Sequence, residues 1–589
     1  MTCDLSVILS RYNGSRGKAW HRFISLSTIT SFFLLTTALL VIARAPAKGY
    51  EPSIYSATPR IFWIAIIFGL FNAFFLIASC LYIRSKMWMV GLFEIIFCNS
   101  LVLSLYALRG YVLCFGRGDA SSYVGMASDV NIYGYIGNNL YPITSILISQ
   151  ISQMTNISVL NISKYIPSLY YAVYVLSVYC WSKSLIYDRK FILCSILAST
   201  PIFFAWVSTA IYHQLLSVLM LPFFFYLLQK NSDYRFRFLS IIIIIMYPFF
   251  HPITGIVFLL YMTVFFISEK LNLVEERKSI SKSLLLLSFV ALIIWFIQQY
   301  SLLRNIKTVL FQLMSLLKTQ TSFDIALSLT RVGIFKSMRV LILMIADEII
   351  FSLISLFVIY QVLLRKGVPI LKKFYKISMC LIIGNLFLSL IFFFSSAHQP
   401  YRLINLNFNM ILTPPLVGYL IYNFSINNKK DKTVLILGLI VFSSVIAIFS
   451  LYPSPITNLR NSQVTTMDIM GMNWLITQKN LEIKTADVLT PVFRFADLIY
   501  GCEFRRQRSD LYSDWDTPVH FGFNDDRIFP IDEYRYLVIT EYDMKPYIME
   551  LWIVFEPPFY REDFIKINYC INVDKIYENG EFRTYFIHK

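Results

Sequence analysis

Residues 238–246 read FLSIIIIIM and residues 284–296 read LLLLSFVALIIWF. Uncharged apolar runs of this kind recur through the first 452 residues of the 589-residue chain. With their flanks they approach the 20 residues that a helix needs to cross a bilayer. The composition agrees: 57% of residues are hydrophobic and 15% charged, with a mean hydropathy of +0.60, where a soluble domain carries about a quarter charged residues. The chain is therefore expected to be an α-helical polytopic membrane protein. Its net charge of +17 lies in short clusters between the apolar runs, the pattern of cytoplasmic loops rather than of a nucleic-acid-binding surface. The amino terminus is polar through His21 and the first apolar run is too long for a cleaved signal, so no signal peptide is expected.

Spans are predicted at residues 23–43, 61–83, 89–108, 165–182, 191–207, 214–228, 238–250, 253–268, 283–303, 344–364, 377–396, 404–423 and 433–452, about thirteen in all. Alternate connections hold Arg11/Arg16/Lys18/Arg22, Arg84/Lys86, Lys183/Arg189/Lys190, Lys230/Arg235/Arg237, Lys270/Arg277/Lys278/Lys282, Arg365/Lys366/Lys372/Lys373 and Lys429/Lys430/Lys432. The positive-inside rule puts these in the cytoplasm with the amino terminus. Connections 44–60, 109–164, 304–343 and 397–403 then face outward, and so does the tail from 453 to 589. The expected division is a membrane domain over 1–452, with a large outer loop at 109–164, and an extracytoplasmic α/β domain over 453–589. In that tail, Met467–Lys479 and Arg494–Tyr500 read as helices, and Asp487–Val492 and Tyr536–Thr540 as strands. Asn579-Gly580 signals a type I′ hairpin.

This topology gathers scattered polar residues on one face. Asp119 and Asp129 stand in the outer loop, within CFGRGDASSYVGMASDVNIYGYIGNNLYP (114–142). His213 falls between spans five and six, His251 between spans seven and eight, and His398 and Arg402 between spans eleven and twelve. Asp347 and Glu348 are expected to open span ten. Taken singly, each has a structural explanation. A loop Asp caps a turn, a His beside Pro satisfies freed backbone groups, an acidic pair suits a helix N-terminus, and an Arg snorkels to headgroups. Ionisable groups at membrane depth are nevertheless costly and mark sites, and their placement on one face favours a functional reading. The tripeptide Arg117-Gly118-Asp119 is too short a match to carry an adhesion reading.

Other features are weaker. Asp514-Trp515-Asp516 resembles a carboxylate pair for a divalent metal, though exposed turns carry such pairs more often. Sequons stand at Asn13, Asn156, Asn161 and Asn423, of which only Asn156 and Asn161 face outward. Cys502 and Cys570 lie in the oxidising compartment, as a disulfide or as two buried thiols.

The layout resembles the GT-C superfamily of membrane glycosyltransferases. That group includes oligosaccharyltransferase catalytic subunits, protein mannosyltransferases and envelope arabinosyl- and mannosyltransferases of archaea and bacteria. GRGDASSYVGMASD and NNLYPITSILISQISQMTNIS resemble the acidic first outer loop of such enzymes. DVLTPVFRFADLIYG and KIYENGEFRTYF resemble the outer domains of archaeal and bacterial members. Two departures stand out: the acidic loop follows the third predicted span instead of the first, and the oligosaccharyltransferase signature WWDYG is absent, which argues against en bloc transfer to asparagine. The resemblance implies transfer of a sugar from a polyprenyl-phosphate donor to a glycan, lipid or protein acceptor on the outer membrane face. Asp119 matches the loop acid that activates the acceptor hydroxyl, with Asp129 as the alternative.

A carboxylate can take the acceptor's proton, and phosphate leaves without a strong acid. Arg402 is the first choice to bind the phosphate, with His251, His398, His213 and Glu348 as further substrate-binding residues. Single displacement would invert the anomeric centre. A divalent cation is compatible with this chemistry, and no residue pattern requires one. The competing readings are a flippase or transporter of lipid-linked oligosaccharide, an envelope polysaccharide polymerase and a non-enzymatic scaffold. A transporter should show internal repeats and charges buried mid-span, but no repeat is visible and Glu94 is nearly the sole acid well inside a span.

Overall fold

In lipid a backbone must satisfy its own hydrogen bonds, so apolar runs become helices. The computed structural model describes residues 15–137, 139, 141–271, 280–298, 334–364, 368–395, 408–457, 459–513, 517–523, 533–548 and 559–588. Its membrane part begins with α1 (Ser15–Arg44), α2 (Arg60–Ser79) and α3 (Met87–Leu103), which pack side by side. The connection expected to face outward, called the outer loop for that reason, contributes α4 (Asp119–Tyr133) and α5 (Pro142–Thr155). Then follow α6 (Val159–Leu185), α7 (Arg189–Ala198), α8 (His213–Leu219), α9 (Leu221–Gln229), α10 (Tyr234–Phe250), α11 (Pro252–Lys270) and α12 (Lys282–Gln298). The last group is α13 (Ile334–Leu364), α14 (Tyr375–Ser395), α15 (Pro414–Ile426) and α16 (Lys430–Ser450).

Among the described residues five segments are long and apolar enough to cross a membrane: Arg22–Arg44, Arg60–Ser79, Pro252–Lys270, Ile342–Leu364 and Lys430–Ser450. Four shorter apolar helices accompany them: Met87–Leu103, His213–Gln229, Lys282–Gln298 and Tyr375–Ser389. The chain is thus a mostly helical membrane protein. Two buried acids inside it are partnered. Glu94 accepts hydrogen bonds from Ser31 and, at 2.7 Å, from Asn72, and Glu269 pairs with Lys376 at 2.8 Å.

Several spans differ from expectation: the run 214–228 divides into α8 and α9, and α15 within the run 404–423 begins only at Pro414. The run 191–207 is not one helix: α7 stops at Ala198, and Phe204 and Ala205 take left-handed backbone with φ of 73° and 45°. The carbonyl freed at Thr200 is met by Asn99 Nδ2 at 2.8 Å and Tyr171 Oη at 2.9 Å, which is what lets the helix break among apolar neighbours. Asp347 and Glu348 lie close to the start of the apolar segment Ile342–Leu364, but they do not open a helix. The helix starts at Ile334 and carries both, buried, at its middle.

The C-terminal region, expected on the outer side and called the outer domain for that reason, contains α17 (Thr466–Gln478), β1 (Lys484–Asp487), α18 (Val492–Tyr500), α19 (Cys502–Arg506), β2 (Arg535–Thr540), α20 (Glu541–Ile548), α21 (Arg561–Lys566), β3 (Val573–Glu578) and β4 (Phe582–Ile587). Its sheet has the order β1-β2-β4-β3, with β1 parallel to β2 and the other pairs antiparallel. The first strand ends at Asp487, and Val492 already belongs to α18, so Asp487–Val492 is strand end and turn instead of a strand. The β3–β4 turn is not type I′, which needs positive φ at both central residues; Gly580 alone is left-handed, at φ 97°. Glu581 follows it and accepts from Tyr50 N at 2.5 Å and Thr465 Oγ1 at 2.6 Å. That contact ties the hairpin both to the first outer connection and to the cap of α17.

Loop and domain interlock around Arg117. Its side chain is buried, and Nη2 reaches Asp468 Oδ2 at 2.5 Å. Nη1 donates to the hydroxyls of Thr490 at 3.0 Å and Thr540 at 3.2 Å. Both hydroxyls in turn donate to the carboxylate of Asp543, at 3.0 and 2.7 Å. The guanidinium also lies 4.6 Å from the ring centroid of Tyr542. Asp468 closes a capping box with Thr465 at the start of α17. Burial pushes the carboxyls of Asp468 and Asp543 up, while Arg117 draws both back down.

Removing one partner from such a buried set costs roughly 3–5 kcal/mol. Arg117→Ala should lower outer-domain stability by about that amount, read from thermal unfolding of the detergent-solubilised chain at pH 7. Without Arg117, both native carboxyls titrate further above their unfolded values. The native state then takes up protons first as pH falls, so part of the loss should return between pH 7 and pH 5. A deficit independent of pH would separate Arg117 from these carboxylates.

Candidate active site

Asp119 is the first residue of α4, following Gly118 at the cap. Its side chain is 53% exposed, and Oδ1 pairs with Arg494 Nη2 at 2.6 Å. Arg494 comes from α18 of the outer domain, and its Nη1 donates to Ser122 Oγ at 2.7 Å. Ser122 also binds Asp497, and Asp497 holds Arg505 at 2.7 Å. Gly125, on the same helix, packs so closely that a Cβ would lie 2.3 Å from the Asp497 carbonyl oxygen. The outer domain therefore sets the position of α4, and with it Asp119.

One turn along α4, Tyr123 meets His213 with ring centroids 4.1 Å apart. Tyr141, the residue before Pro142 and the start of α5, lies 5.4 Å from His213 and stacks on His251 at 5.0 Å. The loop helices thus bring Tyr123 and Tyr141 against His213 and His251, and Asp119 stands one turn before Tyr123 on the same helix. Burial first, and then the charge of Asp119, raises the phenols of Tyr123, Tyr141 and Tyr212. His213 is 2% exposed. Both its ring nitrogens, Nδ1 of His251 and Nε2 of Gln214 have no hydrogen-bond partner among the described residues. Buried polar atoms are rarely left so, and this concentration beside a half-exposed carboxylate marks a site built to receive polar groups. Burial holds the His251 imidazole down at about 4, so it is neutral, one donor and one acceptor, at ordinary pH.

Asp129 is placed differently. It is buried on α4, and Oδ2 accepts the backbone N–H groups of Cys502 at 2.8 Å and Glu503 at 3.1 Å. Burial raises its carboxyl and these two amides counter the rise. Gly501, at φ 91°, leaves room for it: a Cβ there would sit 2.1 Å from Asp129 Oδ1. These bonds account for Oδ2 as a clamp on α19, while Oδ1 has no hydrogen-bond partner among the described residues. Glu348 is buried halfway along α13, whose main neighbours are α15 and α16. His398 and Arg402 lie outside the described residues, as do Asp514 and Asp516. Cys502 and Cys570 are separate buried thiols, the first against the Ser122 carbonyl at 3.4 Å and the second against that of Lys566 at 3.4 Å. No group of three His, Cys, Asp or Glu side chains converges to hold a metal among the described residues.

The two aspartates should separate by stability. Asp129→Ala strands two buried amides and should cost about 1–3 kcal/mol in thermal unfolding. Asp119→Asn removes only a half-exposed ion pair and should stay within about 0.5 kcal/mol of wild type. Equal losses would show that Asp119 is also held for structure.

Solved structures of the Archaeoglobus fulgidus oligosaccharyltransferase resemble this chain. The apo form shares 11% identity over 80% of this chain and 72% of that one, with a TM-score of 0.47. The form tethered to an acceptor peptide containing the NVT sequon shares 12% over 80% and 71%, with a TM-score of 0.48. The complex with an inhibitory peptide and a dolichol-phosphate shares 11% over 79% and 71%, with a TM-score of 0.46. No protein-family model and no curated protein matches the sequence. A TM-score below 0.5 at this identity transfers neither site nor activity.

Proposed function

We propose that this chain is a membrane glycosyltransferase that moves a sugar from a polyprenyl-phosphate donor to an acceptor hydroxyl at the outer membrane face. The observation that carries this reading is Asp119: a half-exposed carboxylate held by Arg494 above a floor of tyrosines and unpartnered imidazoles. The acceptor O–H gives its proton to Asp119, and the oxygen forms a bond to the anomeric carbon. The bond from that carbon to phosphate oxygen breaks, the electron pair leaves with the polyprenyl phosphate, and the anomeric centre inverts.

Charge develops on the phosphate as it departs, and preorganised donors are most effective there. Arg494 is a cation already at the site, and Arg402 is the second candidate. When substrate enters, Arg494 exchanges Asp119 for phosphate, which frees the carboxylate to act as base. His213 and His251, neutral and unpartnered, donate to the donor's oxygens.

The test is reconstitution in liposomes with radiolabelled polyprenyl-phosphate sugars. Wild type should release polyprenyl phosphate and label an acceptor, and Asp119→Asn should slow transfer by about 10²–10⁴-fold, the range for loss of a general base. Arg494→Ala should slow it as well. Undiminished transfer in Asp119→Asn removes that residue from the chemistry. Movement of intact lipid across the bilayer without bond cleavage would make the protein a flippase.

A further inference from the structure

Six rings form a continuous wall from the outer domain towards the membrane helices. Phe115 stacks on Trp206 at 4.2 Å and 14°. Trp206 meets Tyr212 at 6.4 Å, Tyr212 meets Tyr123 at 6.5 Å, Tyr123 meets Tyr141 at 6.4 Å and Tyr141 stacks on His251 at 5.0 Å. Every one of the six is half-buried, so each keeps part of its surface open. The Phe115–Trp206 end is held in place by strain. Phe115, Phe204 and Ala205 are all left-handed, at φ of 54°, 73° and 45°, and none is glycine. Such conformations cost of order 1–3 kcal/mol each and gather where a site needs a fixed geometry. The core pair Trp181–Phe225 provides the contrast: it stacks at 5.2 Å between unstrained helices and is almost fully buried.

We infer that the Phe115–Trp206 stack is the platform for a saccharide acceptor, one pyranose ring lying with its C–H face on the aromatic surface. The inference rests on the glycosyltransferase reading above and names the acceptor class within it. A pyranose has an apolar face and a rim of hydroxyls, and flat aromatic walls flanked by a few polar groups suit both. The wall has a direction. At its His251 end it joins α10 to the span Pro252–Lys270, where a lipid-borne donor arrives. At its Phe115 end it abuts the outer domain, since a Cβ on Gly116 would lie 2.6 Å from Val464. Asp119 stands one turn before Tyr123 on α4, beside the middle of the wall. A base between the two ends serves an acceptor at the outer one.

The experiment uses the full chain in nanodiscs without donor. Saturation-transfer NMR is recorded with methyl glycosides of glucose, mannose, galactose and N-acetylglucosamine, and with a peptide carrying an Asn-X-Thr sequon. At least one glycoside should receive saturation on its ring C–H protons. Phe115→Ala and Trp206→Ala should weaken that binding at least about tenfold, the loss expected when an aromatic contact is removed. Trp206→Phe should retain binding, and unchanged thermal unfolding of all three variants excludes a folding effect. Asp119→Asn should bind the glycoside as wild type does, whatever it does to transfer, so failure of this inference and failure of the function reading give different results. Binding of the peptide but of no glycoside overturns the inference. So does wild-type glycoside binding by Trp206→Ala. A polyprenyl-phosphate sugar that displaces the glycoside, where polyprenyl phosphate alone does not, reassigns the platform to the donor.

Discussion

The ion pair between Arg117 and Asp468 is the constraint on which the rest of this structure depends. It buries a guanidinium from the membrane domain's outer loop inside the outer domain. A buried charge is tolerated only when paired and hydrogen-bonded, so the two parts cannot separate without exposing Asp468 and Asp543 as well. Two residues after Arg117, α4 begins. Its path across α18 is then fixed by Asp119–Arg494, Ser122–Asp497 and Asp129 on the Cys502 amide. The same helix carries Tyr123 to His213. Site geometry is inherited from a domain junction instead of from the helix bundle alone.

That arrangement reconciles two demands. A carboxylate acting as base must stay accessible and movable, whereas its helix must be rigid to hold it near the reacting atoms. Here the tight contacts fall on α4 away from Asp119, at Gly125 and Asp129. Asp119 keeps a single partner and most of its exposure. The two aspartates of one helix are therefore separated by environment: one is fixed by backbone amides, the other is free to exchange its cation.

Much of the bundle was legible in the chain, because apolar runs in lipid have few alternatives to helix. The expectation that Asp119, His213 and His251 share a face came from counting basic residues on alternate connections, a signal carried by topology and not by any motif; the structure places the two histidines against Tyr141 and His213 against Tyr123, one turn after Asp119. What escaped notice depends on separations that a linear reading cannot bridge. Arg117 looked like part of a chance tripeptide because its partner is 351 residues away. Arg494 sat unremarked in an amphipathic helix for the same reason. The break after Ala198 was invisible because hydropathy averages over residues and carries no information on the sign of φ at Phe204 and Ala205. Asp347 and Glu348 were read as a helix start because acids favour that position; the preceding turns of α13, with Lys336 and Arg339 among them, resembled a loop by charge.

The length of chain between partners has a consequence for how the protein is made. Thr540 lies 423 residues after Arg117. At the 5–20 residues per second typical of synthesis, about 20–85 s pass before the pocket for that guanidinium exists. Until then the outer loop has no template for α4, and Asp119 has no fixed place. The pocket that positions α4 is therefore completed only after Thr540 has been made, and a nascent chain halted before that point would lack the junction that holds α4 in place.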